Sequence, residues 1–179
     1  LSSKDHLKPH SHVLTGYAIA LKIRGLTAEQ LRGHIVVREA MSAVTNHPSA
    51  TADLPADYSL IGGGFRVNWR GQGNLATASF PVGNAWAARS KDHQNPDPAS
   101  IVSYAVGIRN SIPGVGNIEA RIFSLQSDMK QHPSVSVPVQ RGYALAGGGG
   151  EVVYSGAGNM IWELCPDITN SDNQVFKTS

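Results

Sequence analysis

Cysteine is almost missing: Cys165 is the only one in 179 residues, so no disulfide can staple the chain to itself. A charge excess is missing too. Fifteen Lys and Arg stand against 13 Asp and Glu, leaving a net charge of +2. No basic run occurs, which excludes the cationic footprint of a nucleic-acid binder. Charged residues make up 16 %, low beside about 25 % in ordinary domains, so the surface is polar but largely neutral. No apolar run reaches about 18 residues, so no helical membrane span is encoded. The sequence opens at Leu1 with neither Met nor a signal-peptide pattern, and a processed, excised or truncated product is expected.

What the chain has is a match with itself. Ser3-Lys4-Asp5-His6 returns as Ser90-Lys91-Asp92-His93, an offset of 87. Tyr17 to Lys22 returns at the same offset as Tyr104 to Arg109. His47-Pro48-Ser49 returns as His132-Pro133-Ser134, and Tyr58 to Gly64 as Tyr143 to Gly149, both at an offset of 85. Gly71-Gln72-Gly73-Asn74 returns as Gly156-Ala157-Gly158-Asn159, and Pro81 as Pro166. Ordered matches along a whole chain are the mark of tandem duplication. Two repeats of roughly 88 residues follow, 1–89 and 90–179. Leu1 and Ser179 fall at the same phase of the repeat. That suits a piece of a longer array, or a product released at equivalent sites.

Each repeat reads as strands. From His12 to Arg24 the chain alternates, with Tyr17, Ile19 and Leu21 on one side and Gly16, Ala18 and Ala20 on the other. Period two is the pattern of a half-buried strand. Its counterpart puts Tyr104, Val106 and Ile108 inward and Arg109 outward, and the small residues opposite invite a close backbone approach. Further strands are expected over 35–44, 118–125, 49–54, 58–69, 75–80 and 85–90. Thr27 and Gln30 have capping-box spacing, which predicts one short helical turn; its counterpart around Pro113-Gly114 is a turn. The triple glycine inside a strand marks a bulge or backbone packed on backbone. The expected fold is all-β: a sandwich, prism or barrel with internal pseudo-two-fold symmetry, its repeats closely packed and sharing or exchanging strands.

Tyr58-Ser59-Leu60-Ile61-Gly62-Gly63-Gly64, Gly71-Gln72-Gly73-Asn74-Leu75, Ser79-Phe80-Pro81, Trp86 and Ser90 to His93 together resemble a tandem repeat of bacterial extracellular or surface proteins. The resemblance covers nearly the whole chain and implies a secreted or cell-surface location, without a settled activity. The second copy departs from it at Cys165, where Phe80 stands, and at Val175, where Trp86 stands.

Charged and amide side chains kept in both copies are the candidate ligand contacts: Lys4, Asp5, His6 and Asn74 in one, Lys91, Asp92, His93 and Asn159 in the other. Trp69 aligns with Tyr154, which keeps an aromatic ring beside each Gly-x-Gly-Asn turn. Rings that stack on apolar sugar faces and amides that bond hydroxyls suit carbohydrate. The competing role is structural: Asp and His tying strand ends, the rings filling the core, Asn in a turn. His47 and His132 precede Pro and read as buried turn residues. His6, His10 and His12 lie close enough for a metal, but Asp97 and Ala99 replace two of them in the second copy. No built-in metal site and no cofactor are expected. Neither a Gly-x-Ser-x-Gly elbow nor a repeated acid pair is present.

The expected function is a non-enzymatic, lectin-like binding or adhesion module with one site per repeat. Its partner would be a glycan or another cell-surface ligand, with further repeats or a homo-oligomer as additional partners. The alternatives are a self-assembling structural repeat without a small ligand, and an enzyme or toxin fragment with a site between the copies.

Overall fold

The computed structural model describes residues 11, 13–15, 18, 20–156, 160–167 and 175–179. Within them lie a short helix, α1 (Ala28–Gly33), and twelve strands: β1 (Ile35–Met41), β2 (Ser49–Asp53), β3 (Tyr58–Asn68), β4 (Asn74–Val82), β5 (Ala85–Asp92), β6 (Ser100–Arg109), β7 (Ser111–Ile112), β8 (Gly116–Asn117), β9 (Val135–Pro138), β10 (Gly150–Glu151), β11 (Leu164–Asp167) and β12 (Val175–Thr178). The fold is all-β. Every strand pairing is antiparallel, and the described strands form several open sheets with no closed barrel.

The first half is a sandwich. One sheet has the order β1-β6-β3 and the other β10-β4-β5-β2. They meet over a core in which Trp86 of β5 and Ala52 of β2 pack on Ala105 of β6, with Val36, Ala40, Tyr58 and Leu60 around them. The β6 strand belongs to the second sequence copy, yet it lies between two strands of the first. Its register runs from Ile35 opposite Ile108 to Met41 opposite Val102 on one edge, and from Tyr58 opposite Arg109 to Asn68 opposite Ser100 on the other.

Which face of β6 points to the opposing sheet differs from the alternation reading. Ile101, Ser103 and Ala105 are fully buried, with Gly107 beside them, while Tyr104 and Val106 on the other face are half-buried. The reason is volume. Trp86 brings one large ring into the core, so the strand above it must carry small side chains. The Ser103 hydroxyl donates to the Trp86 carbonyl at 2.6 Å, and Trp86 Nε1 donates to Ser79 Oγ at 2.9 Å. Ile108 is buried as expected, in a separate cluster with Leu31 and Ile112.

The triple glycine answers to close packing. The β3–β6 register slips between Leu60 and Gly62, which is a bulge. A Cβ on Gly63 would overlap the Trp86 indole. In the second copy a Cβ on Gly148 would overlap the Phe176 ring, and one on Gly149 would overlap the Ser79 carbonyl across the interface with β4. The capping box forms as read: Thr27 N–H donates to Gln30 Oε1 at 2.8 Å, and Gln30 N–H to Thr27 Oγ1 at 3.2 Å.

The second half is described only in part. Its main sheet is β11-β12-β9, with four residues per strand. Pro166 stands opposite Phe176, and Phe176 opposite Val137. In the first half Pro81 stands opposite Trp86, and Trp86 opposite Ala52. In strand pairing Phe176 stands to Pro166 and Val137 as Trp86 stands to Pro81 and Ala52. Two expected strands are not seen: residues 118–125 form none, and neither do the described residues of 12–24.

Candidate functional site

The Lys-Asp-His segment of the second copy ends β5, where it meets the Gly-x-Gly-Asn turn that starts β4. Asn74 lies opposite Asp92, and Leu75 opposite Lys91. The turn is held from below by Asp97. Its carboxylate accepts from the backbone N–H of Gly71 at 3.1 Å and of Gly73 at 2.7 Å. The Asn74 amide donates to the carbonyls of Asn46 at 2.9 Å and Asp97 at 3.1 Å, and the residue is 2 % exposed. Asn74 therefore ties three chain segments together and presents nothing to solvent. Asp97, noted in the sequence only as the replacement for His10, is the group around which the turn folds.

Lys91 is 2 % exposed, unusual for a lysine. Its Nζ sits 4.5 Å from the centre of the Tyr154 ring, a cation–π contact within the second sequence copy. Burial pushes the Lys91 amine below the usual lysine range, and neighbouring Asp92 opposes that in part. Tyr154 is half-buried beneath it. The pair ties the end of β5 to the chain that follows β10.

The Asp92 side chain is largely covered, 16 % exposed, and borders the cleft. Its Oδ1 lies 3.2 Å from His47 Nε2, and its backbone N–H donates to the Asn46 carbonyl at 3.0 Å. The His47 side chain is 63 % exposed, so the expectation of a buried histidine fails. Pro48 takes the buried place beside it. Beyond Asp92 the chain turns sharply. Gln94 has φ of +64°, and Asn95 N–H donates to the His93 carbonyl at 2.8 Å. The Asn95 amide is braced by Gln72 Oε1 at 2.9 Å.

His47, Lys91, Asp92, Gln94, Asn95, Pro96 and Gly156 line a cleft of about 250 Å³. It brings together the Lys-Asp part of the second copy's motif, Gly156 of the same copy's Gly-x-Gly-Asn segment, and His47 of the first copy. The sequence reading did not find His47, Gln94, Asn95 or Pro96. The sole hint was that His47 recurs as His132. Trp69 is 46 % exposed and does not line this cleft. Neither does His93, which is half-buried. Lys4, Asp5, His6, His10, His12 and Asn159 lie outside the described residues. A second cleft of about 200 Å³, more apolar, lies between Phe65 of β3 and Trp162, and Trp162 is 79 % exposed.

A carboxylate, an imidazole and two carboxamides around a small cleft can bond hydroxyl, carboxyl or amide groups. Asp92 and His47 pair as they would in a catalytic triad; among the described residues no Ser, Thr or Cys lines the cleft. Among the described residues no three His, Cys, Asp or Glu are grouped to hold a metal ion, and no helix is long and apolar enough to cross a membrane. No protein-family model matches the chain, and neither a curated protein nor a solved structure is detectably similar to it.

Proposed function

We propose that this chain is a non-enzymatic binding module, secreted or displayed on a cell surface, whose ligand is a sugar or a similar polyhydroxylated group. The observation that carries the reading is the cleft at the end of β5. Its polar lining combines acceptors and donors on a braced loop. Its volume falls below the roughly 300–1,000 Å³ of drug-sized sites, which suits one sugar ring or a chain end. Sequence pairing extends the proposal to one site per repeat. His132 stands for His47, Gly71 for Gly156, and Lys4 and Asp5 for Lys91 and Asp92. In this reading the two halves are related by a pseudo-two-fold axis, and two weak sites gain avidity for a repetitive glycan.

A glycan array followed by calorimetry tests this. The expected result is saturable binding with a stoichiometry near two, and loss of one site in Asp92→Asn at an unchanged melting temperature. Absence of saturable binding, or full binding by Asp92→Asn together with lower stability, overturns it.

One observation favours a second reading, a structural repeat that works by assembly. The β6 strand of one sequence copy completes the sheet of the other, and strand exchange of that kind propagates along an array.

A further inference from the structure

Among the described residues, Gln94 alone of the non-glycines has a positive φ, at +64°. Glycine takes that backbone freely, whereas a side chain makes it costly. The Asn95 N–H donates to the His93 carbonyl at 2.8 Å, which closes a three-residue turn around Gln94. A γ-turn with positive φ at its centre is rare and strained. Strain of this kind persists where the surroundings over-determine it, and it gathers at ligand clamps.

The surroundings of Gln94 do over-determine it. On one side the Asp92 N–H is held by the Asn46 carbonyl at 3.0 Å. On the other the Asp97 carboxylate is held by the N–H groups of Gly71 and Gly73. Next to the turn the Asn95 amide donates to Gln72 Oε1 at 2.9 Å. None of these bonds uses the Gln94 side chain, and glycine would close the same turn without strain. What the glutamine adds is its carboxamide, and that residue is exposed and lines the cleft at the end of β5. We propose that Gln94 is the specificity-determining residue of this cleft, its carboxamide bridging two neighbouring hydroxyls of a pyranose ring. The assignment rests on the reading of the cleft as a sugar site.

The chemistry selects the group. A carboxamide presents a carbonyl oxygen and an NH₂ side by side. Two hydroxyls on adjacent ring carbons match it: one donates to the oxygen and the other accepts from the NH₂. The neighbouring polar groups are already committed, Asn95 to Gln72 and Asp92 to His47. Two ordinary hydrogen bonds correspond to about a tenfold preference.

Calorimetry with the methyl glycosides of glucose, mannose and galactose, each beside its 3-deoxy form, tests this. Apart from the blocked anomeric position, every adjacent hydroxyl pair on these rings includes the 3-hydroxyl, so its removal breaks any such bridge. The full chain is expected to bind at least one methyl glycoside about tenfold more tightly than its 3-deoxy form. Gln94→Gly should erase that difference with no fall in melting temperature. Gln94→Asn, which tolerates the positive φ and withdraws the carboxamide by one carbon, should erase it too. Equal affinity for both forms in the unaltered chain overturns the assignment, as does a tenfold difference that survives Gln94→Gly; either result leaves the cleft a sugar site. A lower melting temperature in Gln94→Gly also overturns it, by giving the side chain to the turn. Binding of none of these probes overturns the assignment as well, and the wider glycan array then decides the sugar reading by itself.

Discussion

In the first half the pairing Pro81, Trp86, Ala52 lies under a three-stranded sheet, and Trp86 is 3 % exposed. In the second half the parallel series Pro166, Phe176, Val137 forms from the same kind of sequence, yet Phe176 is only half-buried. Similar strand sequences differ in burial among the described residues: Trp86 packs against Ala105 of β6, and Phe176 lies against Gly148. Propensity and alternation set where strands begin and end. A packed core needs the second layer, and here that layer is supplied from the other sequence copy.

The largest effect should follow from removing the ring in the complete half. Trp86→Ala is expected to cost about 3–5 kcal/mol in denaturant unfolding. Phe176→Ala should cost less, about 1–2 kcal/mol, because its site is partly open. Equal losses would break the comparison and show the halves equally packed. Next comes the glycine beneath each ring. Gly63→Ala drives a methyl into the indole and should cost about 1–3 kcal/mol. Gly148→Ala should cost less, since the half-buried Phe176 ring has space to move.

Asp97→Ala should cost about 1.5–3 kcal/mol, by freeing the Gly71 and Gly73 N–H groups it holds. That loss would sharpen the view that the Gly-x-Gly-Asn turn is scaffold rather than ligand contact. A stable Asp97→Ala variant that loses binding would reverse it.

The halves also differ in how they respond to pH. In the second half a hydrogen bond from Lys177, then one from Ser179, holds the Glu163 carboxyl below the usual carboxylate range. Its contribution is present above the unfolded carboxylate pKa and is lost as pH falls through the lower folded value. Glu163→Gln should flatten that acid limb in melting curves. In the first half Lys91 is shifted down by burial. Between its folded pKa and the ordinary lysine value the unfolded chain holds more protons, so stability should rise with pH there. Lys91→Met should remove that alkaline rise. The smallest effect belongs to the surface pair Arg89–Glu151: breaking it should change stability by at most about 1 kcal/mol.

Much of the first half was legible in the sequence. The expected spans 49–54, 58–69, 75–80 and 85–90 match β2 to β5 within a few residues, because alternation and Gly/Pro punctuation are local signals. The face of β6 was not legible, since it depends on Trp86 across the core. Nor was the role of Asn74, which is kept for its bonds to backbone carbonyls rather than for a ligand. Gln94 and Asn95 of the cleft were missed because they have no repeat partner: Leu7 and Lys8 stand at those places. Self-similarity finds only what both copies keep.

The account rests most heavily on β6 being part of the first half's sheet, and native-state hydrogen exchange tests that directly. Amides of 100–109 should open together with those of 35–41 and 58–68, with one common free energy. Amides of 100–109 that instead open with those of 175–178, at a lower free energy than 35–41 and 58–68, would contradict it.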